Sequence, residues 1–269
     1  MSGDTDGAQD AELRTELADG RLTVTFDRPA ARNAMTWAMY EGLHAACERA
    51  DDDPSVRVLV LRGAGDRAFV AGTDIGQFAQ FRTGAEGGAD GVAYEAAITR
   101  VVNRLEEVTV PTLAVVRGAC VGAGIALAAA CDLRVADGTA RFGVPIARTL
   151  GNCLSANSTS LLVHHLGPGT TLDLLLRGRL LGAADAHAAG FLAELTEPGE
   201  LDATADTVAA ELADRAPLTQ WAAKELVRRM RRALVVPDDD VVATVFGSED
   251  FAAGVRAFGA GERPRWTGR

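Results

Sequence analysis

Cysteine is scarce: four occur in 269 residues, at 47, 120, 131 and 153, none in a CxxC pair. That spacing argues against a disulfide framework. Three of the four lie inside apolar runs, where a buried thiol in a reducing compartment is the plain expectation. Basic charge is also in deficit, with 27 Lys and Arg against 37 Asp and Glu, a net charge of −10. Such a chain repels phosphate polymers, so nucleic acid is not an expected partner, although a few local arginines or a helix N-terminus still suffice for a small anion. No apolar run reaches transmembrane length, so no membrane partner is expected. The N-terminus, MSGDTDGAQDAE, lacks the basic and apolar regions of a signal peptide. A cytoplasmic protein is expected.

With 48% hydrophobic and 24% charged residues the chain has ordinary globular composition. A mobile tail is expected over residues 1–11. Two short runs flanking Asp19-Gly20 predict a β-hairpin. Asn33 is read as the N-cap of a helix in which Met35, Met39, Leu43 and Cys47 recur. Val56–Leu61 and Val110–Val116 read as apolar strands, each followed by a helical pattern. Between them, TGAEGGADG at residues 83–91 reads as a flexible loop, a movable lid, ahead of a helix carrying Ile98, Val101, Val102 and Leu105. From Leu201 onward the patterns are wholly helical, with Ser248 as an N-cap. The expected division is a mixed α/β core over 12–200 and a helical C-terminal region over 201–269.

The stretch GACVGAGIALAAACDL, residues 118–133, holds three glycines and six alanines. It predicts a sharp turn into a helix from about Gly122 to Cys131 whose N-terminus is sterically naked. Unpaired N–H groups and aligned peptide dipoles there favour negative charge, and missing side chains let a ligand approach the backbone. The GxxxGxG spacing of Gly118, Gly122 and Gly124 also fits dinucleotide-binding dehydrogenases. Against that, neither Tyr40 nor Tyr94 has a lysine four residues on, and the motif lies mid-chain. A second glycine-bearing turn, AFVAGTDI at 68–75, also leaves an apolar strand. If the two turns converge, one N–H from each can hold a single oxygen that becomes anionic.

These two motifs, with DRPAARNAM at 27–35 and RLLGAADAHAAGFLAEL at 179–195, resemble in register the crotonase superfamily, the enoyl-CoA hydratase/isomerase family. The resemblance spans about residues 13–260. It implies an α/β fold, a crotonase-like spiral of ββα units with a C-terminal helical region that assembles homotrimers or dimers of trimers. It also implies a coenzyme A thioester as substrate, with no prosthetic group. By position, the oxyanion donors would be the backbone N–H groups of Thr73 and Ala123. Arg32, Ala34, Ala71, Asp74, Ile75, Gly122, Pro145, Ile146 and Phe258 would line the coenzyme and acyl site, Phe258 from an adjacent subunit.

Hydratases of the family add water with two glutamates, and the resemblance carries those positions onto Ala126 and Ile146, neither of which titrates. Isomerisation, hydrolysis or another non-standard reaction is therefore expected; atypical hydration or acyl-CoA binding without turnover are the alternatives. In the segment 144–157, Asn152 and Cys153 are side-chain candidates, the latter set against a buried inert thiol. Tyr94 and Glu95 are further candidates for proton transfer, with an exposed helix surface expected for Glu95. Asp74 is read mainly as a helix cap, Asp132 as structural, and Arg228, Arg229, Arg231 and Arg232 as a solvated helix face. The histidines show no metal-ligand spacing, and no metal is expected.

Overall fold

The structure is a computed structural model that describes residues 12–269; the expected tail over 1–11 lies outside the described residues. The hairpin forms as the sequence predicts, β1 (Leu13–Ala18) against β2 (Arg21–Phe26). Asp19 and Gly20 close it with φ of 51° and 77°. Two consecutive left-handed residues match the turn to the twist of its strands, and this dipeptide accepts them with little strain. Helix α1 (Trp37–Asp52) follows, but its cap is Thr36, whose side chain accepts from the Met39 N–H at 3.3 Å. Asn33 does not cap it. That residue is fully buried at φ 56°, accepts from the Arg28 N–H and donates to the carbonyls of Ala64 and Ala68. Its amide serves strand-end groups that burial would otherwise leave unpaired.

Strand–strand–helix units then repeat: β3 (Val58–Gly63), β4 (Ala68–Val70) and α2 (Gly84–Glu107); β5 (Thr112–Val116), β6 (Ala119–Val121) and α3 (Ala123–Ala130); β7 (Leu133–Asp137), β8 (Arg141–Gly143) and α4 (Ala156–Arg177). After them come β9 (Leu180–Gly182), α5 (Ala183–Ala188) and β10 (Glu194–Thr196). The first strand of each unit enters a six-stranded sheet ordered β1-β2-β3-β5-β7-β10, and the second a four-stranded sheet ordered β4-β6-β8-β9. Each unit thus advances one strand in both sheets, which makes the chain a spiral. Within the large sheet, β2 through β10 pair in parallel. Its central strands are apolar along their length because helices cover both faces.

Four helices complete the chain: α6 (Leu201–Asp214), α7 (Pro217–Arg232), α8 (Asp239–Phe246) and α9 (Glu249–Ala260). The first covers the outer face of the large sheet, where Leu201, Ala205 and Ala209 cluster with Val58, Val60, Leu113, Val115 and Val135. Fully burying a side chain such as Leu or Val contributes about 1.5–3 kcal/mol, so this layer belongs to the core. Ser248 caps α9 through the Phe251 N–H at 3.0 Å, as expected.

Two expectations change. Residues 83–91 are not a lid, because from Gly84 they are the opening turns of α2. A Cβ on Gly88 would meet the Ala243 carbonyl oxygen at 2.6 Å, and one on Gly91 the Phe246 Cβ at 2.3 Å. These glycines let α8 lie directly on α2; the run reads as a loop only when that neighbour is out of sight. The bareness of α3 is likewise mostly packing. Every residue from Gly124 to Ala130 is buried, and a Cβ on Gly124 would meet the Val70 carbonyl oxygen at 2.1 Å. Only the start of the helix and Ala126 are left to a ligand.

Candidate active site

The parallel pairing of β4 with β6, registered at Val70↔Cys120, brings the turns after the two strands side by side. Gly72 (φ 100°) and Gly122 (φ 57°) take conformations that side chains resist, and a Cβ on Gly122 would lie 3.3 Å from Gly72 Cα. Met35 braces the first turn from the other side. Its N–H donates to the Gly72 carbonyl and its carbonyl accepts from the Asp74 N–H, both at 2.9 Å. That pattern leaves the Thr73 N–H directed away from Met35. Among the described residues, neither the Thr73 nor the Ala123 N–H finds an acceptor.

Both turns open onto a cavity of about 320 Å³. Of the residues singled out in the sequence, Arg32, Ala71, Thr73, Ile75, Gly122, Ala123, Ala126, Pro145, Ile146, Asn152 and Phe258 line it. Phe258 does so from its own chain. Ala34, Asp74 and Cys153 are not in the lining. The Ala34 carbonyl accepts from Arg28. Asp74 caps the short 3₁₀ helix Ile75–Gln80 through the Gly76 N–H at 3.0 Å and pairs with Arg28. Cys153 packs against the hydrophobic core, and burial pushes its thiol up to about 12. A thiol held so far from ionisation is a poor nucleophile.

Glu95 departs most from expectation. It is buried rather than exposed, and it is the sole carboxyl lining the cavity among the described residues. Its Oε2 accepts from the Ser155 N–H at 2.9 Å, at the N-terminus of α4. Desolvation nevertheless dominates and raises its pKa to about 7, with the Ser155 bonds pulling the other way and the nearby Asp238 charge adding to the rise. A carboxyl poised near neutrality takes and returns protons readily. The sequence does carry a signal for it: Glu95, Ile98, Val102 and Leu105 share one helical stripe, and an acid on an apolar stripe is out of place.

Tyr40 reaches the site although sequence reasoning did not single it out for a role there. Its hydroxyl lies 2.8 Å from Thr73 Oγ1, and the Tyr94 hydroxyl lies 2.7 Å from the same atom. Burial pushes both phenols upward, so they stay neutral. Asn152 brings a side-chain oxygen that is buried and unpartnered among the described residues.

Elsewhere, Asp132 is structural, accepting from the Thr112 N–H at 2.7 Å and pairing with Lys224 at 2.6 Å. Arg231 is not solvated. It is buried against Glu106, with its guanidinium also on Asn157 and Ser160. No group of three or more His, Cys, Asp or Glu side chains is arranged for a metal among the described residues. No helix among them is long and apolar enough to cross a membrane.

Residues 16–269 match the family described as enoyl-CoA hydratase/isomerase. The 2,3-dehydroadipyl-CoA hydratase of Escherichia coli is 31% identical over 264 residues, covering 96% of this chain and all of that protein. The short-chain-enoyl-CoA hydratase of Clostridium acetobutylicum is 31% identical, covering 87% of this chain and 85% of its own. Among solved structures, an enoyl-CoA hydratase/carnithine racemase from Magnetospirillum magneticum superposes with a TM-score of 0.77 at 29% identity, over 96% of both chains.

Proposed function

The chain is a member of the enoyl-CoA hydratase/isomerase family, and on that premise we propose that it isomerises the double bond of an unsaturated acyl-CoA. In this reading the Thr73 and Ala123 amides stabilise the thioester oxygen as it becomes anionic, and Glu95 is the base that moves the proton. The observation that carries it is a single carboxyl, buried and poised near neutrality, in a cavity that also takes in both turns. Isomerisation suits that equipment. The Glu95 carboxylate removes the α-proton of a 3-enoyl thioester, the electron pair delocalises onto the thioester oxygen on one side and over the double bond to the γ-carbon on the other, and the same carboxyl returns the proton at the γ-carbon. Nothing is consumed, and one group does both steps. Ordinary hydration asks for an acid and a base together, and Ala126 and Ile146 supply neither.

In this reading Arg32, Ala71, Ile75 and Phe258 of the lining hold the coenzyme, with Ala34 and Asp74 beside them. Pro145 and Ile146 are assigned to the acyl side. A second reading, hydration with a water held between Glu95 and Asn152, is favoured by the unpartnered Asn152 oxygen. The four free thiols suit the cytoplasm. Assembly as a trimer or dimer of trimers is supported by the apolar residues that α7 leaves exposed, Leu218, Trp221, Leu226, Val227 and Met230.

The test is 3-hexenoyl-CoA, with appearance of the conjugated thioester followed by absorbance. The protein is expected to convert it with a rate that rises through about pH 7, and Glu95→Gln to lose about 10²–10⁴-fold in turnover. Crotonyl-CoA hydration in the absence of isomerisation would replace this reading with the second. Turnover unchanged in Glu95→Gln would remove both.

A further inference from the structure

The chain has two tyrosines, Tyr40 on α1 and Tyr94 on α2, and both end on one oxygen, Thr73 Oγ1. Neither phenol has another hydrogen-bond partner among the described residues. Counting protons then constrains the trio. Three hydroxyls bring three protons, and the two bonds between them hold two, so one proton must be donated outside the trio. Tyr40 is 1% exposed and does not line the cavity, so a proton left there would be a buried donor without a partner. The trio is therefore polarised away from Tyr40. Thr73 and Tyr94 both line the cavity, and the spare proton emerges into it. When the bonds run in one direction, each hydroxyl that accepts becomes a better donor, which favours Tyr40 to Thr73 to Tyr94 over two phenols donating to one oxygen.

We propose that Tyr94 donates a third hydrogen bond to the bound thioester oxygen as it becomes anionic, beside the Thr73 and Ala123 amides. Tyr40 and the Thr73 hydroxyl are positioning residues that polarise the Tyr94 hydroxyl. The phenol keeps its proton throughout and acts by donation alone. Other aromatic rings fix its orientation, with Phe78 packed edge-on at 5.1 Å, Trp37 at 5.8 Å and Phe81 at 6.0 Å. This inference rests on the reading of the cavity as an enolate site, and it is independent of which carbon receives the proton.

The experiment compares two probes by calorimetric titration. S-propyl-CoA is a thioether with no thioester carbonyl; the nitronate of 2-nitropropionyl-CoA has a planar, enolate-like α-carbon whose negative charge is shared by its nitro oxygens and its thioester oxygen. Tyr94→Phe, which keeps the ring in its aromatic cluster, is expected to weaken the nitronate about ten- to hundredfold and leave S-propyl-CoA within twofold. Tyr40→Phe is expected to weaken the nitronate about threefold. Nitronate affinity unchanged in Tyr94→Phe, or equal weakening of both probes, overturns the third donor. An unmodified protein that binds S-propyl-CoA yet shows no preference for the nitronate overturns the enolate reading itself, and this proposal with it.

Discussion

Glu95 sits where a leucine would serve the fold better, and the consequence is measurable without any substrate. Below about pH 4.5 the carboxyl is protonated in both folded and unfolded chains and contributes no difference. As pH rises, the unfolded chain ionises first while burial keeps the folded carboxyl neutral up to about 7. Folding is therefore penalised progressively over that window, by roughly 3 kcal/mol once the folded group has also ionised. Glu95→Gln removes this term. Its melting temperature relative to the unmodified protein is expected to rise by several degrees between pH 5 and pH 8, a change that a pH-independent effect of the amide does not produce. Equal differences at the two pH values would mean that Glu95 ionises normally in the folded chain. A group that weakens the fold in proportion to its readiness for proton transfer is what an active site is expected to hold.

Among the elements, α2, α3 and α4 show how one residue type serves different ends. Glycine in an exposed helix is less favourable than alanine by about 1 kcal/mol, so propensity alone favours replacing either Gly88 or Gly169. Their surroundings differ. A Cβ on Gly169 meets nothing within 4 Å, whereas one on Gly88 would strike the α8 backbone. Gly169→Ala is expected to raise stability by up to about 1 kcal/mol. Gly88→Ala is expected to lower it by about 1–3 kcal/mol, read from denaturant midpoints. A stabilised Gly88→Ala would mean that α8 does not lie against α2. On α3, Gly122 and Ala123 lie at the cavity while the alanines behind them fill the interior, so a single run of small residues does two jobs at its two ends.

For the whole molecule, α7 divides its residues sharply. Arg231 is drawn into the core by Glu106, while Leu226 and Met230 remain 60% and 64% exposed. An apolar patch of that kind on a folded chain calls for a partner surface, and the proposed one is another copy. The unmodified protein is expected to sediment as three or six copies, and Leu226→Asp combined with Met230→Asp as one. Sedimentation of the unmodified protein as a monomer would remove the assembly proposal.

The hairpin, the alternation of strand and helix, the helical end of the chain and the glycine turns at 72 and 122 were legible in the sequence. Each depends on residues close together in the chain: paired left-handed positions, apolar periodicity, caps, and motifs in a fixed order. The burial of Glu95 was signalled only by its place on an apolar stripe; its bond to Ser155, the meeting of two tyrosines on Thr73, the packing of residues 83–91 against α8 and the withdrawal of Arg231 from solvent were not legible. Those follow from which elements face each other across roughly 20 to 160 residues of chain and from where water is excluded, and only the assembled spiral settles either.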